Sequence, residues 1–241
     1  MNAKRLLQLR RAVLEANLKL AHSGLVLGTF GNVSGLDRDG GVFVIKPSGV
    51  PYDELTPAKM VPVSLETGDV LAGRLRPSSD TPTHWELYRA FGCGGIAHTH
   101  SECATAFAQA RTRIRCMGTT HADYFRDDVP VTRPLTAAEV AVDYEQNTGR
   151  VIVEAFDADP KAAADVPAVL VANHGPFTWG DDPFEAVERA IVLEHLARME
   201  FTLRLGMPEA PRPDGFLIEK HFRRKHGDDA YYGQKKRKGA K

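Results

Sequence analysis

Apolar residues recur at Leu6, Leu7, Leu9, Val13, Leu14, Leu18 and Ala21, a spacing that turns one face of a 3.6-residue helix toward a core. Gly24 follows where a left-handed C-terminal cap belongs. Beyond it the period changes. Runs rich in β-branched and aromatic residues at 29–34, 42–45 and 61–65 are separated by turn chemistry at Arg38-Asp39-Gly40-Gly41 and Glu66-Thr67-Gly68-Asp69, which predicts hairpins of an antiparallel sheet. Ser78-Ser79-Asp80-Thr81-Pro82 sets cap residues and an early proline ahead of Trp85, Leu87, Tyr88 and Phe91, so a helix begins there. A strand ending at His98 comes next, then a helix over 101–110.

The later half repeats this grammar. A helix is predicted over 136–147 with Gly149 as its stop, strands over 151–156 and 169–172, and a long helix from Asp182-Pro183-Phe184-Glu185 to about Leu205. From Pro213 the chain turns polar and basic through Phe216 to His226, passes Tyr231-Tyr232-Gly233-Gln234, and ends in Lys235-Lys236-Arg237-Lys238. No internal repeat is visible. The pattern predicts a three-layer α/β/α or α+β chain whose central sheet, mixed or mostly antiparallel, is flanked by helices on both sides. One catalytic domain over 1–234 and a disordered basic tail over 235–241 are expected.

Composition narrows the partners. In 241 residues, 43% hydrophobic content suffices for a full core, and 31 Lys+Arg balance 31 Asp+Glu, so no global field draws the protein to nucleic acid or anionic lipid. An anion would have to be held locally. Charges interrupt the N-terminal segment at intervals too short for a signal peptide or membrane span, and Cys93, Cys103 and Cys116 lack zinc-ribbon spacing. Both features fit a cytoplasmic protein whose thiols are small buried groups.

His98 and His100, two residues apart at the end of an apolar run, project from the same face of an extended chain. His174 ends a second such run, and three imidazoles with one open position make a Lewis-acid metal site. Separate strand-end histidines held by ordinary hydrogen bonds are the alternative. Gly31-Asn32, Lys46-Pro47-Ser48-Gly49 and Ser78-Ser79 are loops of small residues, hydroxyls and amides with one lysine beside them. Singly each is a turn; together they fit a phosphate.

The ordered segments GTFGNVSGLDRDGGVFVIKPSGV, PSSDTPTHWELYRAF, GGIAHTHS, GTTHADYF, DYEQNTGRVIVEAF, NHGPFTWG and KHFRRKHGDDAYYGQ resemble the class II aldolase/adducin family, and within it the pentulose-phosphate epimerases. The likeness runs from the first helix to Gln234. It implies an antiparallel sheet flanked by helices, a ring-like homotetramer with active sites between subunits, and a divalent metal, usually zinc, with manganese or cobalt as alternatives. By the same resemblance, His98, His100 and His174 would bind the metal, with Asp80 on or near it. Asn32, Lys46, Ser48, Gly49, Ser78 and Ser79 would hold the phosphate of a phosphorylated pentulose. Asp123 and Tyr232 would be the acid/base pair, the tyrosine coming from the adjacent subunit. Thr119, Thr120, Glu145, His221 and Arg224 match further positions near the site.

The chain departs from the family pattern at Arg126-Asp127-Asp128, where an aromatic-glycine sequence is usual, in a shorter loop before Gly94, and in its continuation past Gln234. Three other readings stay open: a sugar-phosphate aldolase of the family, in which the residue at Asp80 is typically glutamate; a related dehydratase or an epimerase of another pentulose phosphate; and a non-enzymatic adducin-type module, which lacks the metal set.

Overall fold

The computed structural model describes residues 2–156, 161–227 and 230–232. Its sheet has six strands, all paired antiparallel, in the order β3-β2-β1-β4-β6-β5. These are β1 Asn32–Asp37, β2 Val42–Ile45, β3 Val61–Ser64, β4 Gly95–His98, β5 Ala168–Leu170 and β6 Pro176–Gly180. The helices are α1 Ala3–His22, α2 Thr81–Ala90, α3 Glu102–Gln109, α4 Thr119–Ala122, α5 Ala137–Ala141, α6 Tyr144–Glu154, α7 Ala162–Asp165, α8 Pro183–Gly206 and α9 Gly215–His226. The helix-flanked sheet is the one the residue pattern predicts, and of the two sheet types left open there it is the antiparallel one. Among the described residues, no helix is long and apolar enough to cross a membrane. The basic tail predicted at 235–241 lies outside the described residues.

Strand parity sorts side chains into two cores. Val33 and Ala97 pack with Ala16 and Leu20 of α1 and Ala186, Val187 and Ala190 of α8 on one face. Phe43, Ile45, Ile96, Phe177 and Trp179 pack with Leu87 and Tyr88 of α2 and Ile152 of α6 on the other. Leu87 is fully buried, so Leu87→Ala would cost about 2–5 kcal/mol. The first helix is capped by Asn2, whose side chain accepts from Arg5 N at 2.9 Å, an interaction of roughly 1 kcal/mol. Inside the same helix, buried Asn17 gives its amide to the Val33 carbonyl at 3.0 Å and accepts from the Val33 amide at 3.0 Å.

The structure corrects several predicted elements. Residues 151–156 belong to α6 and the turn after it, not to a strand. Their β-branched composition suggests a strand, but Thr148, Val151 and Ile152 are buried one helical turn apart in a helix that packs on α2. Gly149 is not a stop but a notch inside α6: a Cβ there would lie 2.7 Å from Glu86 Cβ, so glycine lets the two helices approach. The helix predicted over 136–147 is two helices, broken where Asp143 takes φ 55°. The later strand is shorter than predicted and ends at Leu170. A further helix, α9, covers the stretch described above only as polar and basic.

Candidate active site

Strand β4 ends at His98, yet the Thr99 amide still donates to the Pro176 carbonyl at 3.3 Å, which keeps the chain extended through His100. His98 Nδ1 donates to the Pro176 carbonyl at 2.9 Å, which turns Nε2 toward His100, and its ring stacks on Phe177 at 4.1 Å. The start of α3 fixes the other side of this segment: Cys103 N and Ala104 N donate to the two carboxylate oxygens of buried Glu194 from α8, at 2.8 and 2.9 Å. His174 comes from the β5–β6 turn, in which Asn173 adopts φ 63° and accepts from Arg111 Nε at 3.0 Å.

The three imidazoles converge. His98 Nε2 and His100 Nε2 are 3.1 Å apart, and one nitrogen from each of His98, His100 and His174 lies within 4.8 Å of the others. Tetrahedral Zn–N bonds place ligand nitrogens roughly 3.3 Å apart, so the set fits a zinc-sized cation. Burial, then the neighbouring His98, lowers His174 to about 3, and burial lowers His100 as well. His100 and His174 are therefore neutral and able to donate electron pairs.

Asp80 stands at the N-terminus of α2, and its Oδ2 accepts from Asn32 Nδ2 at 2.7 Å. Burial pushes this carboxyl up, but the imidazoles, His98 foremost, and the Asn32 hydrogen bond pull it below the ordinary range. Behind it, fully buried His84 is held neutral, lowered by burial to about 3.

The loops predicted to bind phosphate meet beside these groups. Ser48 N donates to the Arg76 carbonyl at 3.0 Å and Ser78 N to the Lys46 carbonyl at 2.9 Å, so the 46–49 and 76–79 segments hold each other. Lys46 is buried; its Nζ donates to the Thr29 carbonyl at 3.2 Å and lies 4.7 Å from the Tyr52 ring centroid. No carboxylate among the described residues pairs with it, and burial lowers it to about 8. The Tyr52 hydroxyl in turn serves the Phe30 and Gly31 carbonyls at 3.0 and 2.9 Å. At Gly31, φ is +77° and a Cβ would lie 2.9 Å from Val26 and 3.0 Å from the His98 carbonyl, so only glycine suits the turn.

A cleft of about 350 Å³ joins the metal set to these loops. Asn32, Lys46, Ser48, Gly49, Ser78, Ser79, Asp80, His98, His100, Glu145 and His174 all line it. Tyr144, absent from the sequence-based set, lines it too, its hydroxyl 3.5 Å from His174 Nδ1. With the helix start read at 136, nothing in the sequence marks Tyr144 as a first-turn residue.

The other six predicted residues do not line this cleft; they gather around α4 and α9. Thr119 and Thr120 open α4, and the Thr119 carbonyl accepts from Asp123 N at 3.0 Å. Arg224 grips Asp123 with Nε and Nη2 at 2.9 and 2.7 Å, and His221 Nδ1 lies 3.0 Å from Oδ1. Burial alone would raise Asp123, but Arg224 and His221 outweigh it and keep the carboxylate ionised. The exposed Tyr232 ring lies 4.7 Å from the Arg224 guanidinium, and the Tyr232 amide donates to the Arg224 carbonyl at 3.0 Å. Asp123 and Tyr232 of one chain thus meet at Arg224.

Residues 11–201 match the family described as the Class II Aldolase and Adducin N-terminal domain. Among solved structures, an L-fuculose 1-phosphate aldolase superposes with TM-score 0.73 at 24% identity, over 90% of this chain and 95% of that one, a likeness of fold. YgbL of Klebsiella pneumoniae, described as an aldolase, epimerase or decarboxylase, gives TM-score 0.70 at 27% identity, over 88% and 97%. The L-fuculose-1-phosphate aldolase of Thermus thermophilus gives 0.64 at 27% identity, over 82% and 95%.

Proposed function

Because this chain belongs to the class II aldolase and adducin N-terminal domain family, we propose that it is an L-ribulose-5-phosphate 4-epimerase interconverting L-ribulose 5-phosphate and D-xylulose 5-phosphate. The observation that carries this reading is one cleft uniting three converging imidazoles with a buried lysine that has no carboxylate partner among the described residues. That is a site for a metal beside a site for an anion.

Inverting C4 of a ketose phosphate cannot rely on the C4–H proton, which is not next to the carbonyl. The C3–C4 bond has to break and re-form. His98, His100 and His174 would hold a divalent cation, zinc with manganese or cobalt as alternatives, which when bound supplies a Lewis acid for charge developing on the C2 and C3 oxygens. Lys46, Ser48, Gly49, Ser78 and Ser79 would anchor the phosphate while the aldehyde turns over, with the Asn32 side chain held on Asp80 beside them. Asp123, ionised, would accept the C4 hydroxyl proton on one face and Tyr232 would serve the other. Within one chain these two groups stand together at Arg224 and outside the cleft lining, so we assign both to the cleft of a neighbouring copy in a homotetramer. Glu145 would contact substrate, while His221 and Arg224 orient Asp123 beside Thr119 and Thr120.

A fuculose-phosphate aldolase is the second reading, favoured by the likeness to the Thermus enzyme. Against it stands Asp80, one methylene shorter than the usual glutamate and committed to Asn32. A coupled assay for D-xylulose 5-phosphate formed from L-ribulose 5-phosphate, run beside an assay for dihydroxyacetone phosphate released from L-fuculose 1-phosphate, tests the choice. Epimerisation without free aldehyde is expected; cleavage of fuculose 1-phosphate with no epimerisation replaces the assignment with aldolase.

A further inference from the structure

Under the cleft runs a polar chain that the proposed reaction leaves unused. Tyr88, Ser34 and His84 are fully buried. The Tyr88 hydroxyl lies 2.6 Å from Ser34 Oγ, which lies 2.7 Å from His84 Nδ1. Counting protons gives the chain a direction. Among the described residues the Tyr88 hydroxyl has no partner but Ser34, and a buried hydroxyl that fails to donate costs roughly 1–3 kcal/mol. Tyr88 therefore donates to Ser34, and Ser34 passes its own proton toward His84 Nδ1. That nitrogen must be bare, so a neutral His84 carries its proton on Nε2.

His84 Nε2 is buried without a partner among the described residues, and so is Asn32 Oδ1. The proton count makes the first a donor. The second is an acceptor, because Asn32 Nδ2 is given to the Asp80 carboxylate. Their owners are already tied to the same neighbours. Asn32 and Ser34 project from one face of β1, two residues apart, and the His84 amide donates to the Asp80 carbonyl at 3.0 Å, one turn into α2.

We propose that His84 is a positioning residue of this cleft: locked as the Nε2–H tautomer by Tyr88 and Ser34, it donates to a buried water that in turn donates to Asn32 Oδ1, and so fixes the Asn32 amide and, through it, Asp80. The proposal rests on reading the cleft as a metal site. Its consequence is directional. With Oδ1 held by a donor, the Asn32 amide cannot turn over, so Nδ2 stays on Asp80 Oδ2 and the carboxylate keeps one orientation beside the histidines. Without that donor the amide is free to present oxygen to oxygen, and Asp80 is pushed away.

The first measurement needs no variant: long-range ¹H–¹⁵N correlation spectra of the metal-free wild-type protein at neutral pH, with His84 expected as the Nε2–H form. The second uses Tyr88→Phe, which removes one hydroxyl at the far end of the chain of bonds and is followed beside its thermal unfolding. Zinc affinity is expected to fall about 10- to 100-fold, the range for groups that orient ligands from outside, and kcat to fall with KM changing less than about threefold. Tyr88→Phe should add little to Asn32→Ala, because both break the same chain of bonds. An Nδ1–H tautomer in the wild type, or zinc affinity and kcat within about twofold of wild type in Tyr88→Phe, overturns the role of His84. Failure of the wild-type protein to bind zinc is a different result and removes the metal reading itself.

Discussion

The cleft and the α4–α9 corner both carry residues that the sequence marks as functional, but they are built in opposite ways. In the cleft, His98, Asn32 and Lys46 are each 2% exposed, burial lowers His100 and His174, and backbone pairing sets each side chain's place. At the corner, charge meets charge. Helix α9 has no buried residue and is held by polar contacts, Asp123 to Arg224 and His221, and Arg126 to Glu219 at 2.9 Å. The first region is preorganised by the fold; the second is a polar assembly that a neighbouring surface could take up.

The largest effect expected from disturbing this contrast is the loss of metal and activity together in His98→Asn, read by metal content and turnover. Mixed oligomers sharpen it. If Asp123 and Tyr232 act as one unit on a neighbour's cleft, co-refolded His98→Asn and Asp123→Asn chains regain about one site in four by random assembly, whereas Asp123→Asn with Tyr232→Phe regains none. Recovery in the second mixture would show that aspartate and tyrosine come from different chains. Next in size, Arg224→Ala should lower kcat about 10- to 100-fold, since hydrogen bonds to a charged group are worth about 1.5–3 kcal/mol, while metal content stays at the wild-type level. A matching loss of metal would contradict the separation of the two regions.

Lys46 gives a smaller, pH-dependent effect. Its ammonium, lowered to about 8 by burial, is present below that pH and lost above it, so KM for a phosphorylated substrate should be flat to about pH 8 and then rise. An invariant KM to about pH 9.5 would remove Lys46 from the anion site. Stability runs the other way: between about 8 and the ordinary lysine value of 10.5 the unfolded chain binds more protons than the folded one, so this group's contribution grows as pH rises. Smallest is salt. Raising it from about 0.01 to about 1 M, which shortens the screening length from about 30 to about 3 Å, should speed proteolytic cutting at α9 a few-fold and leave the cleft's metal in place. Equal sensitivity in both regions would end the comparison.

This contrast also explains what was legible in the sequence. His98 and His100 could be placed because strand parity needs only the apolar run before them, and the loops of Lys46 and Ser78 because their turn residues are local signals. Helix α6 was misread because Val151, Ile152 and Val153 carry strand-like composition, and only the packing of Gly149 on Glu86 decides otherwise. Helix α9 hides for the reverse reason: with nothing buried it shows no apolar stripe. His84 is a lone histidine in a helix, and its meaning depends on Ser34 and Tyr88, which are brought to it by the fold.

The Asn17 carboxamide has a topological consequence. Ser34 pairs with Ile45, the last residue of β2, so the next ladder position would set Val33 against Lys46. Asn17 takes both the amide and the carbonyl of Val33 instead. A helix side chain thus stands in for one rung of the ladder and ends the β1–β2 pairing without leaving an orphan backbone group. The segment from Lys46 onward is thereby released from β1 and bridges the 76–78 stretch instead, Pro47 against Pro77, so one side chain decides where the phosphate-loop pairing takes over from the sheet.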